Sequence, residues 1–144
     1  QNGQPLPPGP GKSSTAQSGA LRENGDMLQI GNSSGGAYST VADMLNFAQA
    51  LTSHKLLSPA FTDTLLAGKV NANRPGGPPV DKYAYGFADV KFNGVRIVGH
   101  NGGTPGYEAQ LDIYPDRGYV VVILANQDQV LVPAIRRSED LLTR

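Results

Sequence analysis

The run from Tyr119 to Ala125 reads Tyr-Val-Val-Val-Ile-Leu-Ala and has no polar face. A strand with one face in water alternates apolar and polar side chains. One covered on both sides is apolar throughout. The run therefore predicts a central strand packed on both faces, and any architecture must supply two layers of cover. Its second face and outer edge also need shielding that a single C-terminal helix does not fully provide. More polypeptide from the same protein is the expected source.

The rest of the chain is built around such a strand. Thr40 followed by Asp43 is a helix entry with a short capping box. Val41, Met44, Leu45, Ala48 and Leu51 then recur at helical spacing. Ser58-Pro59 opens a second helix as N-cap and N1, with Phe61, Leu65 and Leu66 as its buried stripe and Gly68 as its stop. Residues 71 to 79 form a breaker-rich loop, after which the period changes to two. Tyr83, Tyr85 and Phe87 alternate with small residues, Asn93-Gly94 signals a type I′ hairpin, and Val95 to Gly99 follows as a strand. Tyr107 to Tyr114 is the next strand, with Leu111 and Ile113 on one side. The turn Pro115 to Gly118 leads into Tyr119 to Ala125. The tail from about Val130 to Leu142 reads as a helix, with Pro133 tolerated in its first turn. The expected fold class is α+β: an antiparallel meander of about four strands, a helix pair before it, and a C-terminal helix packed on the sheet. Residues 1–25, rich in Pro, Gly and Ser, read as an extended segment, with Met27 to Ile30 along the surface and the domain proper occupying 26–144.

Composition narrows the chemistry. A chain of 144 residues makes one domain, burying roughly two thirds of its unfolded surface. Twelve basic residues balance twelve acidic ones, which argues against nucleic-acid or anionic-membrane partners. The absence of cysteine excludes disulfides, zinc thiolates and thiol nucleophiles. No apolar run approaches the ~18 residues of a membrane span. Two histidines, His54 and His100, without HExxH or an acidic loop, give no transition-metal site, and no phosphate loop occurs. Neither metal nor cofactor is expected.

Two stretches carry candidate chemistry. Gly31-Asn32-Ser33-Ser34-Gly35 matches the G-x-S-x-G elbow, with Asp63, Asp81 and Asp89 between it and His100. An elbow needs a helix directly after its serine, whereas the helix signal starts at Thr40. A Gly-rich lead-in is therefore the favoured reading, and a Ser33 hydrolase the minor one. Gly99-His100-Asn101-Gly102-Gly103-Thr104-Pro105-Gly106 follows a strand and pairs a titratable imidazole with bare backbone. It is either a substrate-facing edge or simply a wide turn. His54, beside Lys55 between helices, reads as solvated.

Several blocks line up with a known family. Gly35-Gly36-Ala37-Tyr38-Ser39-Thr40 running through Asp43-Met44 to Ala50-Leu51 resembles the helix entry of serine β-lactamase-like hydrolases. These comprise class C β-lactamases, penicillin-binding peptidases and related esterases. Tyr85-Gly86-Phe87, the His100 octapeptide and Tyr119 to Asn126 resemble that family's closing segment, in order, over roughly residues 24 to 144. The resemblance implies a partial β-lactamase-like fold. It casts His100-Asn101-Gly102 as the His-x-Gly strand motif, more like the esterase and peptidase branches than true β-lactamases. His100 and Gly103 would be catalytic, His100 holding the substrate's polar end and the Gly103 N–H serving as an oxyanion donor. Asn101, Gly102 and Thr104 would line the substrate.

The family's Ser-x-x-Lys and Tyr-x-Asn motifs have no counterpart here. Only Thr52-Ser53-His54-Lys55 sets a hydroxyl three residues before a lysine, and it resembles no active-site helix. The resemblance thus implies a C-terminal portion whose partner is an upstream segment carrying both motifs, with an ester, peptide or β-lactam as substrate and no activity alone. The competing expectation is a non-catalytic binding or regulatory module on the same fold; a Gly/Pro-rich structural protein is disfavoured by the sharp caps and turns. By resemblance the compartment is periplasmic or extracellular.

Overall fold

Residues 10–11, 22–23, 31, 33, 35–72 and 81–144 are described by the computed structural model of the chain. The expectations for most of residues 1–25, for Met27 to Ile30 and for most of the 71–79 loop lie outside these residues. Pro10–Gly11 (β1) and Arg22–Glu23 (β2) form a small antiparallel pair apart from the main sheet.

The two leading helices begin where their caps dictate. Thr40 Oγ1 accepts the Asp43 N–H at 3.1 Å and donates to the Asp43 carboxylate at 2.9 Å, opening α1 at Val41–Thr52. Ser58 accepts from the Phe61 N–H at 3.5 Å, and Pro59 occupies N1 of α2, Pro59–Leu66. Their buried faces are narrower than periodicity indicates. Ala48 and Leu51 are fully buried and Met44 partly so, but Val41 stays 51% exposed and Leu45 is also exposed. In α2 the buried residues are Thr62 and Leu66, while Phe61 is 68% exposed. Both corrections have one cause: the sheet meets only one side of each apolar stripe. Gly68 also plays a different part. Helix α2 ends on Ala67 in extended conformation, so no left-handed glycine closes it. Instead a Cβ at Gly68 would overlap the Lys82 side chain, and its N–H donates to Asp89 at 2.9 Å.

The main sheet has six antiparallel strands in sequence order: β3 Val70–Asn71, β4 Lys82–Tyr83, β5 Ala88–Phe92, β6 Val95–Thr104, β7 Tyr107–Tyr114 and β8 Tyr119–Ala125. The alternation over Tyr83 to Phe87 is not one strand. Gly86 at φ +81° and an Ala84–Phe87 backbone bond of 2.7 Å fold it into a tight turn between β4 and β5. Asn93 (φ +49°) and Gly94 (φ +80°) make the expected type I′ hairpin, and the turn after Tyr114 closes on its carbonyl through Arg117 and Gly118.

Among the described residues β8 lies at the edge of the sheet rather than at its centre. Its doubly apolar sequence is nonetheless explained. Val120 and Val122 pack with Met44, Ala48, Leu111 and Ile113 beneath α1, whereas Val121 joins Val95, Ile97, Tyr114 and Leu142 beneath α3, Leu131–Leu142. A second group, Leu51, Leu66, Ala84, Phe87 and Val98, seals α1 and α2 onto the middle of the sheet. Each fully buried Leu, Ile or Val contributes roughly 1.5–3 kcal/mol. The layers are thus α1 and α2 on one face, sheet, then α3 on the other. Across the sheet, Asp89 and Arg96 form an ion pair of 2.8 Å, and Arg96 also reaches the Leu66 carbonyl at 3.0 Å, anchoring the end of α2. Burial raises the Asp89 pKa, but the Arg96 and Gly68 hydrogen bonds outweigh it and hold this carboxyl below its usual range.

Candidate active site

Strand β6 continues without a break through the His100 octapeptide as far as Thr104. The turn is only Pro105-Gly106, with Gly106 at φ +86°. The wide-turn reading is therefore excluded. Proline followed by a positive-φ glycine suits a type II turn.

The two neighbours of β6 run out at different points. Strand β5 pairs with Val95 to Gly99 and stops, its last partner row being Ala88 opposite Gly99. Strand β7 pairs from Val98 all the way to Thr104. His100 to Thr104 is consequently a strand with one ladder and one unladdered edge. In an antiparallel pair, hydrogen-bonded and non-hydrogen-bonded rows alternate, and the row closing a two-residue turn is bonded. Counting from Thr104–Tyr107, the N–H groups of Asn101 and Gly103 point away from β7, toward the side that β5 has vacated.

His100 is exposed, and its imidazole is held from across the sheet. Tyr83 stands in a cross-strand row with Ala88 and Gly99, one residue before His100. Its hydroxyl lies 2.9 Å from His100 Nε2, and the two rings meet edge-to-face at 5.9 Å and 72°. Either Nε2–H donates to the phenol oxygen or the phenol donates to Nε2, according to tautomer. Tyr83 was not anticipated as part of the site. Counting back from the Asn93-Gly94 turn puts Ala88 opposite Gly99, and only the second register, β4 on β5, brings Tyr83 near His100.

The remaining candidates divide by strand alternation. Gly102 and Thr104 share the face of His100, and a Cβ at Gly102 would meet nothing within 4 Å. This leaves an open shelf beside the imidazole. Asn101 and Gly103 fall on the opposite face. Asn101 thus faces the shelf edge with its N–H, not its amide side chain. A Cβ on Gly103 would come within 3.3 Å of the Tyr107 carbonyl oxygen. His100, Tyr83 and the Gly103 N–H are brought to one edge of the sheet. Ser33 is not among them: it lies in an exposed turn, and the first helix starts only at Val41, so the strand–turn–helix context of an elbow is missing.

Behind the strand sits a buried acid. Asp112 is 4% exposed and opposes Gly99, where a Cβ would overlap its carboxylate and the Leu111 carbonyl. Burial pushes Asp112 up to about 6 against a hydrogen bond from Gln110. It also raises Tyr114 to about 12, helped by the charges of Asp112 and Glu139. A groove of about 470 Å³, lined by Gln49, Thr62, Asp63, Arg96 and Tyr119 among others, contains neither His100 nor Tyr83. Among the described residues no cluster of three or more His, Asp or Glu could hold a metal, and no helix is long and apolar enough to cross a membrane.

Comparisons with known proteins bear on the fold. The sequence model of the Beta-lactamase family matches residues 2–142. A penicillin-binding protein from Bacillus halodurans superposes with a TM-score of 0.80 at 30% identity, over 94% of this chain and 42% of its own. A D-stereospecific amidohydrolase from Streptomyces superposes with a TM-score of 0.62 at 25% identity, over 86% of this chain and 36% of its own. The chain spans less than half the length of either structure. No curated protein matches it.

Proposed function

Because this chain belongs to the beta-lactamase family, we propose that it supplies the C-terminal wall of a serine hydrolase that acts by acyl transfer. The observation that carries the reading is the unladdered stretch of β6, where His100, fixed by Tyr83, stands beside the outward N–H of Gly103. A backbone N–H held in a strand is a preorganised donor. It meets negative charge developing on an acyl oxygen with no rearrangement, and removal of one such donor typically costs 10²–10³ in kcat.

In this reading the nucleophile and its base, Ser-x-x-Lys, and the Tyr-x-Asn relay belong to an upstream segment. The serine attacks the acyl carbon and expels the alcohol or amine. Water then attacks the acyl-enzyme and releases the acid. His100 holds the polar end of the substrate and the proton network around the serine. Gly102 leaves room for the substrate, and Thr104 and the Asn101 N–H extend the contact along the strand. The substrate is an ester, a peptide or a β-lactam amide. The two structural neighbours, one penicillin-binding and one acting on amides, support this class. No cofactor enters the chemistry. Export to the periplasm or beyond the cell belongs to the same reading. The exposed Val41, Leu45 and Phe61 are apolar surface suited to the upstream segment.

The test is to assay residues 1–144 alone and joined to the upstream segment with a nitrophenyl ester. The chain alone should give no burst. The joined protein should acylate, and His100→Ala should lower its kcat/KM. An upstream region without Ser-x-x-Lys would favour the non-catalytic module, and a burst from the chain alone that Ser33→Ala abolishes would establish the elbow. An unchanged kcat/KM on His100→Ala would make His100 structural.

A further inference from the structure

Helix α3 begins without a cap of its own: Val130 occupies the N-cap position and its side chain accepts nothing. The N–H groups at its entry are taken up from β7. Glu108 Oε1 accepts the Gln129 N–H at 2.9 Å, and Oε2 accepts those of Val130 and Leu131 at 3.0 and 2.7 Å. Gln129 adopts φ +64°, and three successive N–H groups converge on one carboxylate at the positive end of a helix. Next to it, Asp128 Oδ1 accepts the Gly106 N–H at 2.7 Å, gripping the turn at the tip of the β6–β7 hairpin.

Glu108 also has a place in the ladder, directly opposite Gly103. Its Cγ lies 3.8 Å from where a Gly103 Cβ would stand. One side chain thus backs the strand at Gly103 and caps α3, while Asp128 fixes the turn three residues further on. The hairpin needs this support, because β6 beyond Gly99 has lost β5 and would otherwise twist about a single ladder.

We propose that Glu108 and Asp128 are positioning residues that aim the Gly103 N–H by locking the β6–β7 hairpin to the head of α3. The proposal rests on the acyl-transfer reading above. Misplacing a catalytic donor by about 1 Å costs on the order of 10²-fold in rate.

The test uses the chain joined to its upstream segment, with Glu108→Ala, Glu108→Gln and Asp128→Asn variants. Glu108→Ala should lower kcat on a nitrophenyl ester by about 10–100-fold with KM within about twofold. Glu108→Gln, which keeps an acceptor, should recover part of the loss, and Asp128→Asn should fall between. The pH profile should not move, since neither carboxylate exchanges a proton with substrate. Amide hydrogen exchange should accelerate at Thr104 and Gly106, whose N–H groups are bonded in the hairpin, and stay unchanged at Val98 and Ile113. An unchanged kcat, or exchange that rises evenly over the sheet with no recovery in the Gln variant, would overturn the proposal. An unsubstituted protein without acyl-transfer activity overturns the acyl-transfer reading instead, and faster exchange confined to Thr104 and Gly106 still supports the tether.

Discussion

From Val95 to Gly99, β6 is paired with β5, joined by β7 from Val98 onward, and is buried except for the half-exposed Arg96; from His100 to Thr104 it keeps β7 alone and lies exposed. The same strand therefore serves two masters. Its first half is packed to a density where each added atom is felt. Its second half is backbone on display, braced from outside by Tyr83, Glu108 and Asp128. The two glycines at the heart of each half make the contrast sharp: Gly99 is there because Asp112 and the Leu111 carbonyl leave no room, Gly102 where room is ample.

The largest expected effect breaks the buried half. Gly99→Val should destabilise by more than about 3 kcal/mol, since the overlap is with backbone that cannot rotate away; urea unfolding would measure it. Next comes Asp112. Its folded pKa is raised to about 6 by burial, so the penalty for its charge is absent below pH ~4, grows as pH rises toward 6, and is constant above. Asp112→Asn should thus gain up to roughly 3 kcal/mol at pH 7, at 1.36 kcal/mol per pKa unit, and nothing at pH 4. Unfolding curves of both proteins at the two pH values decide this. Tyr83→Phe probes the exposed half. Stability should change by under ~1 kcal/mol, while the His100 ring loses its fixed partner, readable as rotamer averaging in its NMR couplings. Smallest of all, Gly102→Ala should change stability by under about 0.5 kcal/mol and leave the thermal midpoint in place. A large loss there would mean that the open shelf is not open.

How far the sequence reveals this structure follows from the range of the forces involved. Caps and turns are local, so Thr40, Ser58-Pro59 and Asn93-Gly94 are each readable within four residues. Periodicity names an apolar stripe but not which side of it meets the sheet, which is why Val41, Leu45 and Phe61 were expected inside and lie outside. The Tyr119 to Ala125 run announces two covered faces correctly. It says nothing about edges, because face cover and strand order are independent. Of the candidate site, His100 and its glycines are legible in the sequence. Tyr83 required counting register across two hairpins, and Glu108 binds N–H groups more than twenty residues away with no local signature at all.

The meander has a consequence for how the molecule comes into being. Strands β4 to β8 each pair with the next in sequence through short turns. Contacts of such short range cost little loop entropy and form early. The sheet that presents His100 can thus assemble from the chain's own neighbours in order of synthesis, with its hairpin then clamped to α3, the element that follows β8. The geometry of the edge is then complete before any distant segment has to find it.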